Sequence, residues 1–258
     1  MKKVSAVLLA MAMVLSLASC GSKQDPKEIY DAAVKKSQEL TSMDVDYEMD
    51  MVMSQGDDKM DVSTSMNMKM DGLNTEGMRY LAEGTTTTMG QTVDTTMYYA
   101  DGYCYMEAMG QKMKYAMDLD KMVEQIKSST GGGSMDSSYL SDIQAKKDGD
   151  DQILTYTADA SKMDAYVQEV FGAMGDMGDQ LEGLAYTIKE VSGESVVNKD
   201  GYVTSGKVRM VMDMTMEGET VSVEADIKMV YHNPGQAVEV AEPSLEGYTE
   251  VDPSMLGL

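Results

Sequence analysis

Several long stretches of the chain alternate between apolar and polar residues. In two stretches of the N-terminal half and one of the C-terminal half, methionine occupies every second position and the residues between are mostly polar. A period of two residues is typical of a β-strand that buries one face and exposes the other. The alternating methionines are Met49, Met51, Met53, Met66, Met68, Met70, Met210, Met212, Met214 and Met216.

Shorter alternating segments complete a predicted sheet. Glycine-containing turns separate short strands between residues 78 and 116, and a hairpin is predicted over residues 143–157. Long strands are predicted at about residues 185–197, 202–216 and 220–231. The chain after Pro234 is predicted to be extended and to dock through Val238, Val240, Leu245 and Tyr248.

Three segments have the apolar spacing of an amphipathic helix. The first begins at Asp25-Pro26-Lys27-Glu28, which resembles a capping box with proline at the first helical position, and extends to about Leu40. The second follows Asp118, and the third, capped at Ser161, carries the strongest apolar stripe. Two or three helices suffice to cover the apolar side of a strongly curved antiparallel sheet. We therefore predict an α+β fold in which helices pack in the concavity of such a sheet.

The N-terminus has the features of a secretory signal. Lys2 and Lys3 precede an apolar run from Val4 to Leu17, which is too short to span a membrane as a stable helix. The run ends in Leu17-Ala18-Ser19-Cys20-Gly21, which looks like a bacterial lipobox. That resemblance implies a signal peptide over residues 1–19 and a diacylglyceryl group on Cys20, the first residue of the mature chain.

The rest of the chain is predicted to form one domain. Residues 20–25 are the lipidated cysteine and a short spacer, and residues 26–258 form the domain, with a flexible loop near residues 128–137 where Ser, Thr and Gly accumulate. We expect the protein to lie on the extracytoplasmic face of the bacterial cell membrane, anchored by lipid.

Composition excludes several classes of function. The chain has 44 acidic and 21 basic residues and a net charge of −23, which repels nucleic acid. It has a single histidine and contains none of the hydrolase, zinc-protease, P-loop or dinucleotide-binding motifs. No catalytic residue or cofactor is predicted, and we do not expect an enzyme. Cys104, between two tyrosines, is interpreted as a small buried residue.

Three segments carry a resemblance to a known family. They are Tyr98–Met106 (YYADGYCYM), Gly110–Lys114 (GQKMK) and Tyr231–Gly235 (YHNPG). Together with the lipobox, the acidic first helix and the methionine-rich hairpins, they resemble the DUF6612 lipoproteins of Gram-positive anaerobes, over nearly the whole mature chain. The architecture is similar to that of LolA/LolB-type and mycobacterial LppX/LprG-type lipoproteins. This likeness implies a half-open barrel closed by helices around a hydrophobic cavity that holds lipid, and it implies no catalytic residue.

Three interpretations of the methionine rows remain open. Methionine is unbranched and adaptable, so the rows could simply fill a core. They could instead line a cavity for a lipid or another hydrophobic ligand, or their thioethers could bind copper(I). We predict a lipid-anchored carrier with a Met-lined cavity; the alternative is a structural or interaction module of the cell surface with a Met-filled core. An enclosed apolar cavity between the helices and the sheet would favour the carrier.

Overall fold

A computed structural model of the chain describes residues 25–129, 135, 137–159, 161–163, 166–167, 185–216 and 219–253. Its regular helices are α1 (Pro26–Gln38), α2 (Leu119–Ser129) and a short 3₁₀ helix (Ser137–Tyr139). Residues 161–163 and 166–167 are also helical. The predicted signal peptide, Cys20, the spacer up to Gln24 and most of the predicted loop lie outside the described residues.

The strands follow the predicted pattern closely. They are β1 (Met43–Gln55), β2 (Asp58–Asp71), β3 (Arg79–Thr88), β4 (Gln91–Ala100), β5 (Tyr103–Ala108), β6 (Gln111–Ala116), β7 (Leu140–Asp148), β8 (Asp151–Ala158), β9 (Ala185–Val197), β10 (Val203–Met216), β11 (Glu219–Tyr231) and β12 (Thr249–Glu250). The short β12, in the segment after Pro234, was not predicted.

The twelve strands of the described residues belong to one curved sheet. Their order is β12-β6-β5-β4-β3-β2-β1-β11-β10-β9-β8-β7, and all neighbours are antiparallel except β12, which runs parallel to β6. The order is linear, so the sheet does not close on itself. Strand β1 pairs with both β2 and β11 and thereby joins the N-terminal meander to the C-terminal strands. The predicted α+β fold with a half-open barrel is confirmed.

Strand register brings the apolar rows together on one face of the sheet, which we call the Met face. Met51 pairs with Val62 of β2 and with Ala225 of β11, and Ala225 pairs with Met210 of β10. Directly paired residues point to the same side of a sheet. The period-two patterns of four strands therefore form one apolar surface, and the intervening charged residues form the opposite, polar face.

Helix α2 covers the Met face of the N-terminal strands. Its Met122, Val123 and Ile126 are almost fully buried and belong to the same core cluster as Met68 and Met70 of β2. This cluster also contains Cys104 and the tyrosines Tyr80, Tyr99 and Tyr115. The predicted second helix is confirmed.

Helix α1 covers the Met face of the C-terminal strands. Asp25 caps it by accepting a hydrogen bond from the backbone N–H of Lys27 at 3.0 Å, as the sequence predicted. Ile29, Tyr30 and Ala33 of α1 are buried against strands β7 to β9. Two helices thus cover the sheet from its concave side.

The third predicted helix begins differently from the expectation. Ser161 is itself helical, and the carboxylate of Asp159 accepts hydrogen bonds from its backbone N–H and its hydroxyl, at 3.1 and 2.6 Å. The cap comes from Asp159 and not from Ser161. Met163 and Val167 are buried, whereas Val170, Phe171 and Met174 of the predicted stripe lie outside the described residues.

The segment after Pro234 covers part of the polar side. Val240 is buried with Leu81 and Tyr98 on the side of β3 and β4 that faces away from the helices. The rings of Tyr248 and Tyr105 meet edge-on with centroids 5.4 Å apart. The predicted docking of this segment is confirmed.

Candidate apolar ligand site

The predicted methionines lie on strands β1, β2 and β10, and the register places them in a common arrangement. Met53 pairs with Met60 on one side and with Val223 on the other, and Val223 pairs with Met212. The rows of the two halves of the chain are therefore neighbours, although 159 residues separate Met53 from Met212 along the sequence. Met216 is the last residue of β10, opposite Glu219.

Burial differs sharply along these rows. Met68 and Met70 are only 8% and 2% exposed, because α2 packs on them. The other predicted methionines whose side chains are described are partly exposed: Met49, Met51, Met53, Met66, Met210, Met212 and Met214. The Met face therefore has an end covered by α1 and α2 and an end toward the β1–β2 turn, which we call the open end. There the methionines are partly exposed, although Val191, Val223 and Ala225 between them are only 4–6% exposed.

The border of the open end on the β8 side is formed by a tyrosine that the sequence analysis did not single out. Tyr156 pairs with Gly193, and its ring occupies the space that a side chain at position 193 would fill, since a Cβ there would lie 2.4 Å from the ring. The ring of Tyr30 meets Tyr156 edge-on at 5.3 Å. A glycine inside a strand pattern signals such close approach, so Gly193 was the available clue.

Two cavities of the described residues are lined mainly by the polar face. The larger, of about 520 Å³, is lined mostly by charged and polar residues of β1 and β8 to β11, together with Tyr156, Val208 and Ile227, and the smaller, of about 230 Å³, by polar residues of β1 to β3. None of the predicted methionines whose side chains are described lines either cavity. The open end of the Met face is thus a partly exposed apolar surface and not one of these cavities.

The polar face is held by ion pairs across the strands. Arg209 of β10 contacts Glu224 and Asp226 of β11 at 2.8 and 2.9 Å, and Lys228 contacts Glu48 at 2.9 Å. The side chains of these pairs are 42–60% exposed, so each pair contributes little stability. The charged side chains of these strands therefore lie on this face, and their apolar side chains lie on the other.

A second polar network lies where β1 meets the end of β11. The side-chain amide of Asn67 donates to Asp46 at 2.8 Å, and the His232 ring lies 2.7 Å from the same carboxylate. These hydrogen bonds lower the pKa of Asp46 below its ordinary value. The backbone N–H of His232 also donates to the carbonyl of Asp44 at 2.8 Å, which fixes the end of β11.

The cysteine of β5 lies inside the core. Cys104 is fully buried, as the sequence predicted, and burial raises the pKa of its thiol. Burial likewise raises the pKa of the neighbouring Tyr80 to about 12. Among the described residues, no three His, Cys, Asp or Glu side chains converge in a way that could hold a metal ion.

Residues 25–243 match a protein family that is described as a family of unknown function, DUF6612. The chain is a member of the DUF6612 family. The match contains all three segments on which the resemblance was based and confirms it. No curated protein matches this DUF6612 chain.

Solved structures similar to the DUF6612 protein come from distant sequences. LprF from Mycobacterium bovis is 9% identical, with a TM-score of 0.45 over 85% of this chain and 97% of LprF. A LolA superfamily protein from Nitrosomonas europaea is 8% identical, with a TM-score of 0.27 over 84% of this chain and 94% of its own. A DUF1329 family protein from Desulfovibrio piger is 12% identical, with a TM-score of 0.24 over 84% of this chain and 96% of its own.

Helices within the described part of the DUF6612 chain are all too short or too polar to cross a membrane. Cys20, the predicted site of lipid attachment, lies outside that part.

Proposed function

We propose that this DUF6612 protein is an extracytoplasmic lipoprotein, anchored through Cys20, that binds an acyl chain or a similar apolar molecule at the open end of the Met face. The observation that carries the proposal is the change in burial along continuous apolar rows. At one end helices cover the rows, and at the other end methionines of the same strands remain partly exposed. An apolar guest would bury there the methionine surface that remains exposed.

The dimensions of the open end suit an extended chain. Its cross-strand rows pass through five neighbouring strands, β2, β1, β11, β10 and β9, which corresponds to about 19 Å at about 4.8 Å per strand. Each methylene group removed from water contributes about 0.8 kcal/mol. Methionine side chains adapt to guests of different shape, which suits a site for lipids of variable composition.

Binding is tested on a soluble form that begins at Gly21. The protein is purified from cells and examined by native mass spectrometry before and after organic extraction. We expect apolar adducts that disappear on extraction and return when fatty acid is added. A bare mass that takes up no fatty acid would overturn the proposal and favour the alternative, a surface module whose methionines only fill a core.

Matched variants locate the binding surface. Met212→Gln places an amide on the Met face, whereas Val211→Gln places the same amide on the polar face one residue away in the same strand; both positions are partly exposed. We expect fatty acid affinity to fall about ten-fold in Met212→Gln and to stay unchanged in Val211→Gln. Equal effects would contradict binding at the Met face. A copper adduct formed under reducing conditions, lost in Met212→Gln, would instead support the thioether interpretation.

Anchoring is tested separately with Cys20→Ala. Two acyl chains hold a protein to a bilayer far more firmly than one. We expect the variant to appear as a soluble form or as an uncleaved precursor that does not incorporate palmitate. A variant that still fractionates with membranes and still incorporates palmitate would contradict the lipobox interpretation.

A further inference from the structure

Two hairpin tips expose methionine to solvent. Met89, in the β3–β4 turn, and Met109, in the β5–β6 turn, are 79% and 80% exposed. Among the described residues they are the large apolar side chains with the greatest exposure. Neither side chain contributes to the core.

The backbone at both tips is unusual for methionine. Met89 and Met109 have φ angles of 51° and 52°, and each is followed by a glycine with positive φ, as in a type I′ turn. Asparagine, aspartate and glycine are the residues that adopt this conformation readily. The β4–β5 turn has the same geometry and uses aspartate, since Asp101 has a φ of 52°. Methionine at the other two turns is therefore unfavourable for the turn and exposes apolar surface as well.

The Met89 tip lies at the end of the sheet where the Met face is open, and the Met109 tip points to the same end, level with Met66 of β2. Thr88, the residue before Met89, pairs with Val62, which pairs with Met51. The β3–β4 tip therefore begins at the end of the cross-strand row that contains Met51. Two strand spacings, about 10 Å, separate it from Met51. The Asp101 turn lies at the opposite, helix-covered end of the same meander.

Helix α1 also begins toward this end of the sheet. Lys36, in the last turn of α1, lies over the ring of Tyr202 at 4.1 Å and donates to the carbonyl of Asp200, at the β9–β10 turn of the covered end. Tyr30, almost two helical turns earlier, contacts Tyr156 well inside the sheet. Helix α1 therefore runs toward the covered end, and its first residue, six positions after Cys20, points toward the open end.

Charge also distinguishes the tips. Residues 84–93, which include the whole β3–β4 tip, contain no charged side chain, although the chain carries a net charge of −23. At the β5–β6 tip, Glu107 and Lys112 neutralise each other at 3.4 Å. An acidic protein is repelled by an anionic surface, so uncharged tips are the parts of this end that can approach lipid most closely.

We propose that Met89 and Met109 insert into the bilayer surface and hold the open end of the Met face against the membrane. The proposal rests on the proposed function, because the bilayer would be the source or the destination of the apolar ligand. Each inserted methionine removes apolar surface from water and offsets the strain at its turn.

Single tryptophan reporters test the insertion. The chain contains no tryptophan, so Met89→Trp and Met109→Trp each provide one emitter, and Asp101→Trp is the matched control at the same turn geometry on the opposite end. The mature chain is coupled through Cys20 to a maleimide lipid in phosphatidylcholine vesicles; Cys104 is fully buried and does not compete. We expect brominated phosphatidylcholine to quench the tryptophan emission of Met89→Trp and Met109→Trp and to leave that of Asp101→Trp unquenched. Equal quenching in all three variants, or none, would overturn the proposal.

A second measurement separates this proposal from the ligand site. The double variant Met89→Asn/Met109→Asn introduces the residue that the turns prefer, so it should fold at least as well as the parent. We expect its initial rate of fatty acid uptake from vesicles to fall about ten-fold, while its affinity for fatty acid in solution stays within about two-fold. Unchanged uptake from vesicles would overturn the role of the tips. Loss of binding by the parent protein in solution would overturn the ligand site, and the quenching result would still decide whether the tips insert.

Discussion

The two ends of the Met face have nearly the same sequence pattern and different surroundings. Met70 and Met51 both belong to alternating rows, yet Met70 is 2% exposed beneath α2 and Met51 is partly exposed. Among the three turns of strands β3 to β6, the one at the covered end carries aspartate and the two at the opposite end carry methionine. An alternating pattern therefore identifies the apolar face of a strand, and the position of the helices decides which part of that face becomes core.

The largest expected effect is a difference in stability between the two ends. Met122→Ala removes a fully buried side chain of α2 and should lower the free energy of unfolding by about 3 kcal/mol, through lost burial and a residual cavity. Met212→Ala, on the partly exposed row, should cost about 1 kcal/mol or less. Chemical denaturation of the ligand-free protein measures both. Similar losses would show that the open end is packed as tightly as the covered end.

A glycine at the border between the two ends gives a smaller effect. Gly193→Ala places a Cβ 2.4 Å from the Tyr156 ring, so the ring must leave its contact with Tyr30, at a cost of about 1–2 kcal/mol. Gly206→Ala is the matched control, because it also lies inside a strand and its nearest neighbour would be 4.0 Å away. Thermal unfolding of the two variants tests this, and equal shifts would mean that Tyr156 does not fix the border.

The sequence predicted the sheet well because alternation reports directly on a strand with one buried face. Predicted and observed strand bounds agree closely even for β9 to β11. Periodicity alone also assigned Met212 and Asp213 to opposite faces of β10. Asp213 is less exposed than expected, because it pairs with Lys189 at 2.7 Å. Such a partner depends on the β9–β10 register, including its bulge, and periodicity does not fix register between distant segments.

The division of the Met face into two ends could not be predicted in this way. It depends on where α1 and α2 lie across the sheet, which their apolar stripes do not specify. Met68 and Met212 are equivalent in pattern, but only Met68 lies in the core beneath α2. The tips were recognised as turns from Met89-Gly90 and Met109-Gly110, whereas the end of the sheet to which both point follows from the strand order.

Replacing a tip methionine should make the open end more stable. Met89→Asn relieves the positive φ of a long side chain and should raise the free energy of unfolding by roughly 0.5–1 kcal/mol. Asp101→Asn, at the same φ on the covered end, should change it very little, since both residues suit the turn. Differential scanning calorimetry would show the gain as a higher melting temperature. A loss of stability in Met89→Asn would mean that the Met89 side chain makes a contact that supports the fold.

The smallest expected effect is a pH dependence on the polar side of the covered end. Hydrogen bonds from Asn67 and His232 lower the pKa of Asp46 below its ordinary value of 3.8. A carboxylate whose pKa is lower in the folded state stabilises the fold fully above its unfolded pKa, and this contribution is lost as the pH falls through the folded pKa. The side chain of Asp46 is 49% exposed, so solvent screening limits the contribution to about 0.5 kcal/mol.

Unfolding measured between pH 6 and about pH 2.5 should therefore show a slightly shallower acid-induced loss of stability in Asp46→Asn than in the parent. Identical acid profiles would mean that the network of Asp46, Asn67 and His232 does not hold the end of β11, and that helix packing alone secures the covered end.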